Sequence, residues 1–291
     1  MSRRHGRLDR ANLAAWLLTA CVLLSGAAHA QEGGSASSAQ PLQPLKMAVS
    51  EGTSGGIDAE TARKKYRPLA DRLSAALDRP VEVLFVREFS LLERGMQEQF
   101  FDLVIARPSD YPARGLRDYG YRYVATSEPE GHCLLVVPDG SPLQGIADLK
   151  GRSVILPEEV AYMTRFCRAE LRDHGIDLAY ENVHYVREQG AIPFALENGI
   201  AEVGGLASYS GAARQWQTKG HRVLHESVAQ PYMPVVASPI LSVQQVTRIQ
   251  AVLAGLQQDE AGRQFLKTLN ITGFTARTED RLRALLQWLG V

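Results

Sequence analysis

Short β-rich runs alternate along this chain with apolar residues at helical spacing, and few folds accept that pattern. The runs fall at residues 46–50, 81–86, 102–106, 121–126, 133–137, 153–156, 183–187, 203–207, 222–225 and 234–237. Between them Tyr66, Leu69, Leu73 and Leu77 share a helical face, as do Met163, Phe166, Cys167 and Leu171. Apolar positions every three or four residues describe a helix with one buried stripe, and short aliphatic runs describe buried strands. Strands exchanged with helices predict an α/β fold with largely parallel sheets, because a helical crossover returns the next strand in the same direction. From Val246 to Leu289 the pattern is expected to be helical only.

The first thirty residues read as an export signal. Arg3, Arg4, Arg7 and Arg10 precede an apolar run over 13–24, and Ala28-His29-Ala30 is a small-x-small cleavage site before Gln31. The run is too short to span a bilayer. An alternative reading takes Leu18-Thr19-Ala20-Cys21 as a lipobox, with Cys21 as the lipidated first residue. Residues 31–44, rich in Gly, Ser, Gln and Pro, are expected to form a flexible leader. The rest of the chain is long enough for one large or two modest domains. The whole chain has 32 basic and 32 acidic residues, and the signal removes four arginines and one aspartate. The slightly acidic remainder offers nothing for nucleic acid or an anionic membrane.

Residues 136–156 hold a turn, a short helix and a new strand, as expected where a chain passes from one lobe to another. Residues 230–238, with two prolines in an extended run, fit the return. The first lobe is then 45–131 with 236–291, carrying the C-terminal helices, and the inserted second lobe is 138–229. The strands at 132–137 and 230–235 are the expected hinge crossings. A cleft flanked by strand ends on two lobes is a natural ligand site.

Several motifs fall short of chemistry. Gly52-Thr53-Ser54-Gly55-Gly56 satisfies the G-x-S-x-G pattern of hydrolases, but Ser54 lies several residues past the strand end and has no convincing His partner. Thr53 and Ser54 are better read as ligand contacts on a loop at a strand's C-terminal end. His221 and His225 have i, i+4 spacing, yet a strand between them would hold them over about 12 Å apart, so no metal site is expected. No catalytic set and no cofactor motif is expected. Cys133 and Cys167 read as two buried small hydrophobes, although export would permit a disulfide. More informative is the strand 102–106, which ends in Arg107, Pro108, Ser109, Asp110 and Tyr111. Charge, hydroxyl and ring converge there, which makes Arg107, Ser109 and Tyr111 candidate contacts.

The segments 66–83, 101–111, 136–154, 196–211 and 259–274 resemble, in order, the phosphate/phosphite/phosphonate-type substrate-binding proteins of ABC transporters. The resemblance implies the type II periplasmic binding protein fold, two lobes closing over a small ligand without catalysis. It implies a periplasmic monomer that hands its ligand to an inner-membrane permease, or alternatively to a membrane sensor kinase, a role that Cys133 could serve through its thiol. It places Tyr111 at a cleft tyrosine, Arg187 and Gln189 near a contact segment, and Ser208 in another. The family's Ser/Thr-rich anion turn corresponds here to Glu159, Val160, Ala161 and Tyr162. Tyr162 is the one hydroxyl left. Glu158 and Glu159 either face solvent, where the helix dipole favours them, or bring negative charge to an altered anion site. Glu159 is on that reading a contact for a cationic or hydrogen-bond-donating ligand.

Overall fold

The computed structural model describes residues 43–52 and 58–291. The expected signal peptide, Cys21, most of the leader, and Thr53 and Ser54 lie outside the described residues. The chain opens with β1 (Leu45–Glu51), α1 (Ala59–Leu77), β2 (Val81–Phe85), α2 (Phe89–Gln97), β3 (Leu103–Arg107), α3 (Asp110–Asp118) and β4 (Arg122–Gly131). It continues through β5 (Cys133–Val137), β6 (Ser153–Pro157), α4 (Tyr162–Asp173), β7 (Asn182–Val186), α5 (Ala191–Glu197), β8 (Val203–Ala207), α6 (Gly211–Thr218) and β9 (Arg222–Glu226). It closes with β10 (Gln230–Ala237), α7 (Val243–Gly255), α8 (Glu260–Leu269), β11 (Gly273–Thr275) and α9 (Glu279–Leu289). Among the described residues no helix is long and apolar enough to cross a membrane.

Two sheets result, ordered β11-β4-β10-β3-β1-β2 and β7-β6-β8-β5-β9. Both are mixed rather than largely parallel. Strands β1, β2 and β3 are parallel, but β10 runs antiparallel to β3 and β4. The reason is the route of the chain. A strand that enters a lobe from the cleft must run away from it, opposite to strands whose C-terminal ends point there. β5 is antiparallel to β8 on the same ground. The C-terminal region is also not purely helical, since β11 extends the first sheet beside β4.

The segments expected as hinges, 132–137 and 230–235, are largely ladder strands. Cys133–Val137 pairs with β8 and β9 in the second sheet, and β10 pairs with β3 and β4 in the first. Backbone ladders on both sides leave such strands little freedom to bend. Between β4 and β5 and between β9 and β10 the chain passes from one sheet to the other, and the two connections bond each other there. Cys133 N–H donates to Ser227 Oγ at 2.9 Å and Ser227 N–H donates to Cys133 O at 3.0 Å. His132 bonds Ser227 O through Nδ1 at 2.8 Å.

Strand periodicity sorts the core. Leu45, Met47 and Val49 face Tyr66, Leu69 and Leu73 of α1, whereas Ala48 joins Val104 and Ala106 on the opposite face. In the second sheet Leu134 and Val136 pack with Trp216 on one side, and Cys133, Leu135 and Val137 on the other. Glycine lets helices approach the second sheet closely. A Cβ on Gly204 would lie 2.5 Å from Ile192 of α5, and one on Gly205 would lie 2.3 Å from Leu156 and 3.0 Å from Cys167 Sγ. With α4 that near, Cys167 reaches Cys133 and the two form a disulfide. They are buried, as expected, but paired, and Cys133 presents no free thiol. Spacing along the chain carries no sign of this, because the bridge depends on how closely α4 lies on β5.

Candidate functional site

Strands β1, β3, β6 and β8 all end toward the gap between the sheets. There a cavity of about 140 Å³ is lined by residues of both lobes, among them Glu51, Phe89, Arg107, Tyr162, Gln189 and Tyr209. At its floor Glu51 is buried, 4% exposed. Its carboxylate accepts from Lys65 Nζ at 2.6 Å, from Tyr66 Oη at 2.8 Å and from Arg107 at 3.4 Å. Arg107 also donates to Tyr232 Oη at 2.7 Å. A guanidinium has five N–H groups, and among the described residues the other three have no acceptor. Its Nε is buried without a partner. Burial opposes the charge, but the neighbouring Tyr232 and Glu51 more than offset this and hold the Arg107 pKa above its ordinary value.

Helix starts supply the rest of the polar wall. α1, α6, α7 and α8 are capped by side chains of Asp58, Ser210, Ser242 and Asp259. α2, α3 and α4, which begin at or beside the cavity, have no side-chain cap, and neither do α5 and α9. The first turn of α4 lines the cavity through Ala161, Tyr162 and Met163. Uncapped first-turn N–H groups and the helix dipole favour negative charge. Aromatic rings close the sides. Tyr209 from the second lobe stacks on Tyr232 from the first at 4.0 Å, and Phe89 stacks on Tyr111 at 5.1 Å. Burial, together with Tyr209 and Asp110, pushes the Tyr162 phenol up, so it stays a neutral hydroxyl.

Of the residues expected from sequence, Arg107, Tyr162, Arg187 and Gln189 line one cavity. Arg187 and its neighbour Glu188 are exposed at the mouth, and Gln189 Oε1 accepts from Ala207 N–H at 2.9 Å. Tyr111 stands behind Phe89. Ser109 is buried and donates to Pro231 O at 2.8 Å, so it braces the wall. The Ser208 hydroxyl accepts from His132 N–H at 3.1 Å and ties the crossing. Glu158 and Glu159 both face solvent, and Glu159 pairs with Arg168 at 3.2 Å. The reason is that Pro157 ends β6 and α4 starts only at Tyr162, so the intervening turn swings outward. Phe89 and Tyr209 were not singled out from sequence, whereas the resemblance places the loop from Glu51 to Gly56 at the family's first cleft loop. The missing cap residues before 89 and 162 are the signal that could have pointed to that wall.

Residues 56–282 match the family described as ABC transporter, phosphonate, periplasmic substrate-binding protein. The chain belongs to that family. Its members bind a small ligand for an ABC permease and are not enzymes. Similar solved structures share the fold of this phosphonate-family chain. PhnD1 of Prochlorococcus marinus in complex with methylphosphonate has 14% identity and a TM-score of 0.61, covering 84% of this chain and 96% of that one. A Xanthomonas citri protein bound to ATP has 16% identity and a TM-score of 0.65, covering 84% and 96%. The aliphatic sulphonate binding protein SsuA of Escherichia coli has 16% identity and a TM-score of 0.57, covering 86% and 80%.

One pair in the phosphonate-family site crosses the cleft. Asp110, 2% exposed, faces Arg165 of α4 at 3.7 Å, and its Oδ1 has no partner among the described residues. Burial raises its pKa, and Arg114 and Arg165 only partly offset this. A carboxylate raised in the folded state costs stability at neutral pH, and the cost fades as pH falls through its folded pKa. Asp110→Asn is therefore expected to melt above the wild type at pH 7, with the gap narrowing on acidification. Thermal unfolding of both proteins, followed from neutral pH downward, checks this, and a gap that widens at low pH would contradict it.

Proposed function

We propose that this chain is exported by its N-terminal signal and works as a monomer that captures a small organic oxyanion, of the alkylphosphonate or alkylsulfonate type. Delivery is to an inner-membrane ABC permease. The observation that carries the reading is Arg107, with three N–H groups lacking acceptors among the described residues, beside a cavity that the uncapped start of α4 also lines. Of the buried carboxylates at the cleft, Glu51 is already met by Lys65, Tyr66 and Arg107 and Asp110 is faced by Arg165, while Glu159 points away. Positive charge and free N–H groups therefore outweigh negative charge inside. Phe89, Tyr162 and Tyr209 suit a short alkyl group. At about 140 Å³ the cavity is far below the size used by drug-like ligands. Two structures of the same fold are named for such compounds, methylphosphonate and aliphatic sulphonate.

The test is calorimetric titration of the mature protein with methylphosphonate, ethylphosphonate, phosphite and ethanesulfonate, and with L-arginine as a cation. At least one anion is expected to bind with a Kd of about 10 μM or tighter, and arginine not at all. Binding of arginine alone, or of none of the anions, would refute the reading.

A further inference from the structure

A second polar cluster lies away from the cleft, in the inserted lobe. Glu170 and His174 sit one helical turn apart near the end of α4, and His225 comes from β9. Their three donor atoms lie within 4.8 Å of one another. Glu170 Oε1 is 2.8 Å from His225 Nε2 and 3.2 Å from His174 Nε2, and the two rings meet edge to face at 5.0 Å. Glu170 is 2% exposed, so its carboxylate needs strong compensation. His174 is 42% exposed on its side chain, which leaves solvent one way in.

We infer that Glu170, His174 and His225 form a zinc site. Two imidazole nitrogens and one carboxylate oxygen converging on one point are the donor set that Zn²⁺ takes, with water as the fourth ligand. Ligands about 2.0–2.2 Å from zinc at tetrahedral angles stand about 3.3–3.6 Å apart, so the Oε1–Nε2 distances of 2.8 and 3.2 Å would open by a few tenths of an ångström to admit the ion. The same Nε2 atoms that now meet Oε1 would turn their lone pairs to the metal, with each ring's proton on Nδ1. His221, the partner that sequence spacing suggests for His225, takes no part, because it stacks on Trp216 at 4.0 Å. The other carboxylate oxygen of Glu170 accepts from Val228 N–H at 3.2 Å, in the return crossing. Loading is thus expected to stabilise the fold where the second lobe leaves its sheet.

The experiment uses untagged mature protein stripped with EDTA and titrated with ZnCl₂ by calorimetry. One equivalent should bind, and the melting temperature should rise with free zinc as mass action requires. His174→Ala and His225→Ala should each weaken binding at least tenfold, whereas His184→Ala, an exposed histidine on β7, should not. His174 is accessible enough that its substitution should leave the circular dichroism spectrum unchanged, and Glu170→Gln gives a second variant. A zinc-edge anomalous peak among the three donor atoms in a crystal would place the ion. No binding up to about 1 mM zinc, or equal binding by the wild type and both histidine variants, overturns the proposal.

Discussion

Arg107→Gln and Glu51→Gln are expected to move oxyanion affinity in opposite directions while both lower stability. Removing the Arg107 charge deletes the charge-assisted donors and leaves Glu51 with Lys65 and Tyr66 alone. Truncating one partner of a desolvated charge pair costs about 2–4 kcal/mol of binding, or roughly thirtyfold to a thousandfold. Glu51→Gln instead removes a negative charge that competes with the ligand for Arg107. For charges about 8 Å apart at an effective dielectric near 20 the Coulomb energy is about 2 kcal/mol, so affinity should rise by at most about thirtyfold. The same change leaves Lys65 and Arg107 without their anion. Their side chains keep 20% and 23% exposure, so water recovers part of the loss and the stability cost is set at about 2–3 kcal/mol. Calorimetry with the best anion, alongside thermal unfolding, measures both. A Glu51→Gln protein that binds the anion more weakly than the wild type, with its fold intact, would mean that Glu51 contacts the ligand.

The second large effect is expected from the Cys133–Cys167 bridge, which closes a loop with a sequence separation of 34. In the chain-entropy account such a crosslink contributes about 4 kcal/mol by restricting the unfolded chain. For a protein of this size that corresponds to about 8–16 °C in melting temperature. The double variant Cys133→Ala/Cys167→Ala should melt lower by that amount, and reductant should move the wild type the same way once the buried bridge opens. A variant melting within about 2 °C of the wild type would show that the packing of α4 on β5 and β8 holds without the bond. Gly205 makes the bridge sterically possible, because any larger residue would press on Leu156 and Cys167.

Much of this architecture is legible in local pattern. The strands at 81–86, 102–106, 133–137 and 203–207 appear within a residue or two of their expected places, because buried strands need unbroken apolar runs. β11 escaped notice because three residues carry no period. β4 runs longer than expected, since its cleft end carries Ser, Glu and Pro, which read as loop until a neighbouring strand pairs them. In the site, Arg107 and Tyr162 were legible from a strand end and a helix start. Tyr209 and Phe89 were not, because their role comes from residues distant in the chain or on the opposite wall.

The sequence alone determined the class of fold through periodicity, and its two-lobed organisation and the family through the resemblance of ordered segments to known proteins. Only the tertiary structure decided which way the Pro157-Glu158-Glu159 turn faces, that Cys167 meets Cys133, and that His225 joins Glu170 and His174 rather than His221. Each of these depends on the approach of one packed element to another over a few ångströms. Spacing within a helix or strand fixes only the face on which a side chain stands, and its partner is set by whichever element packs against that face.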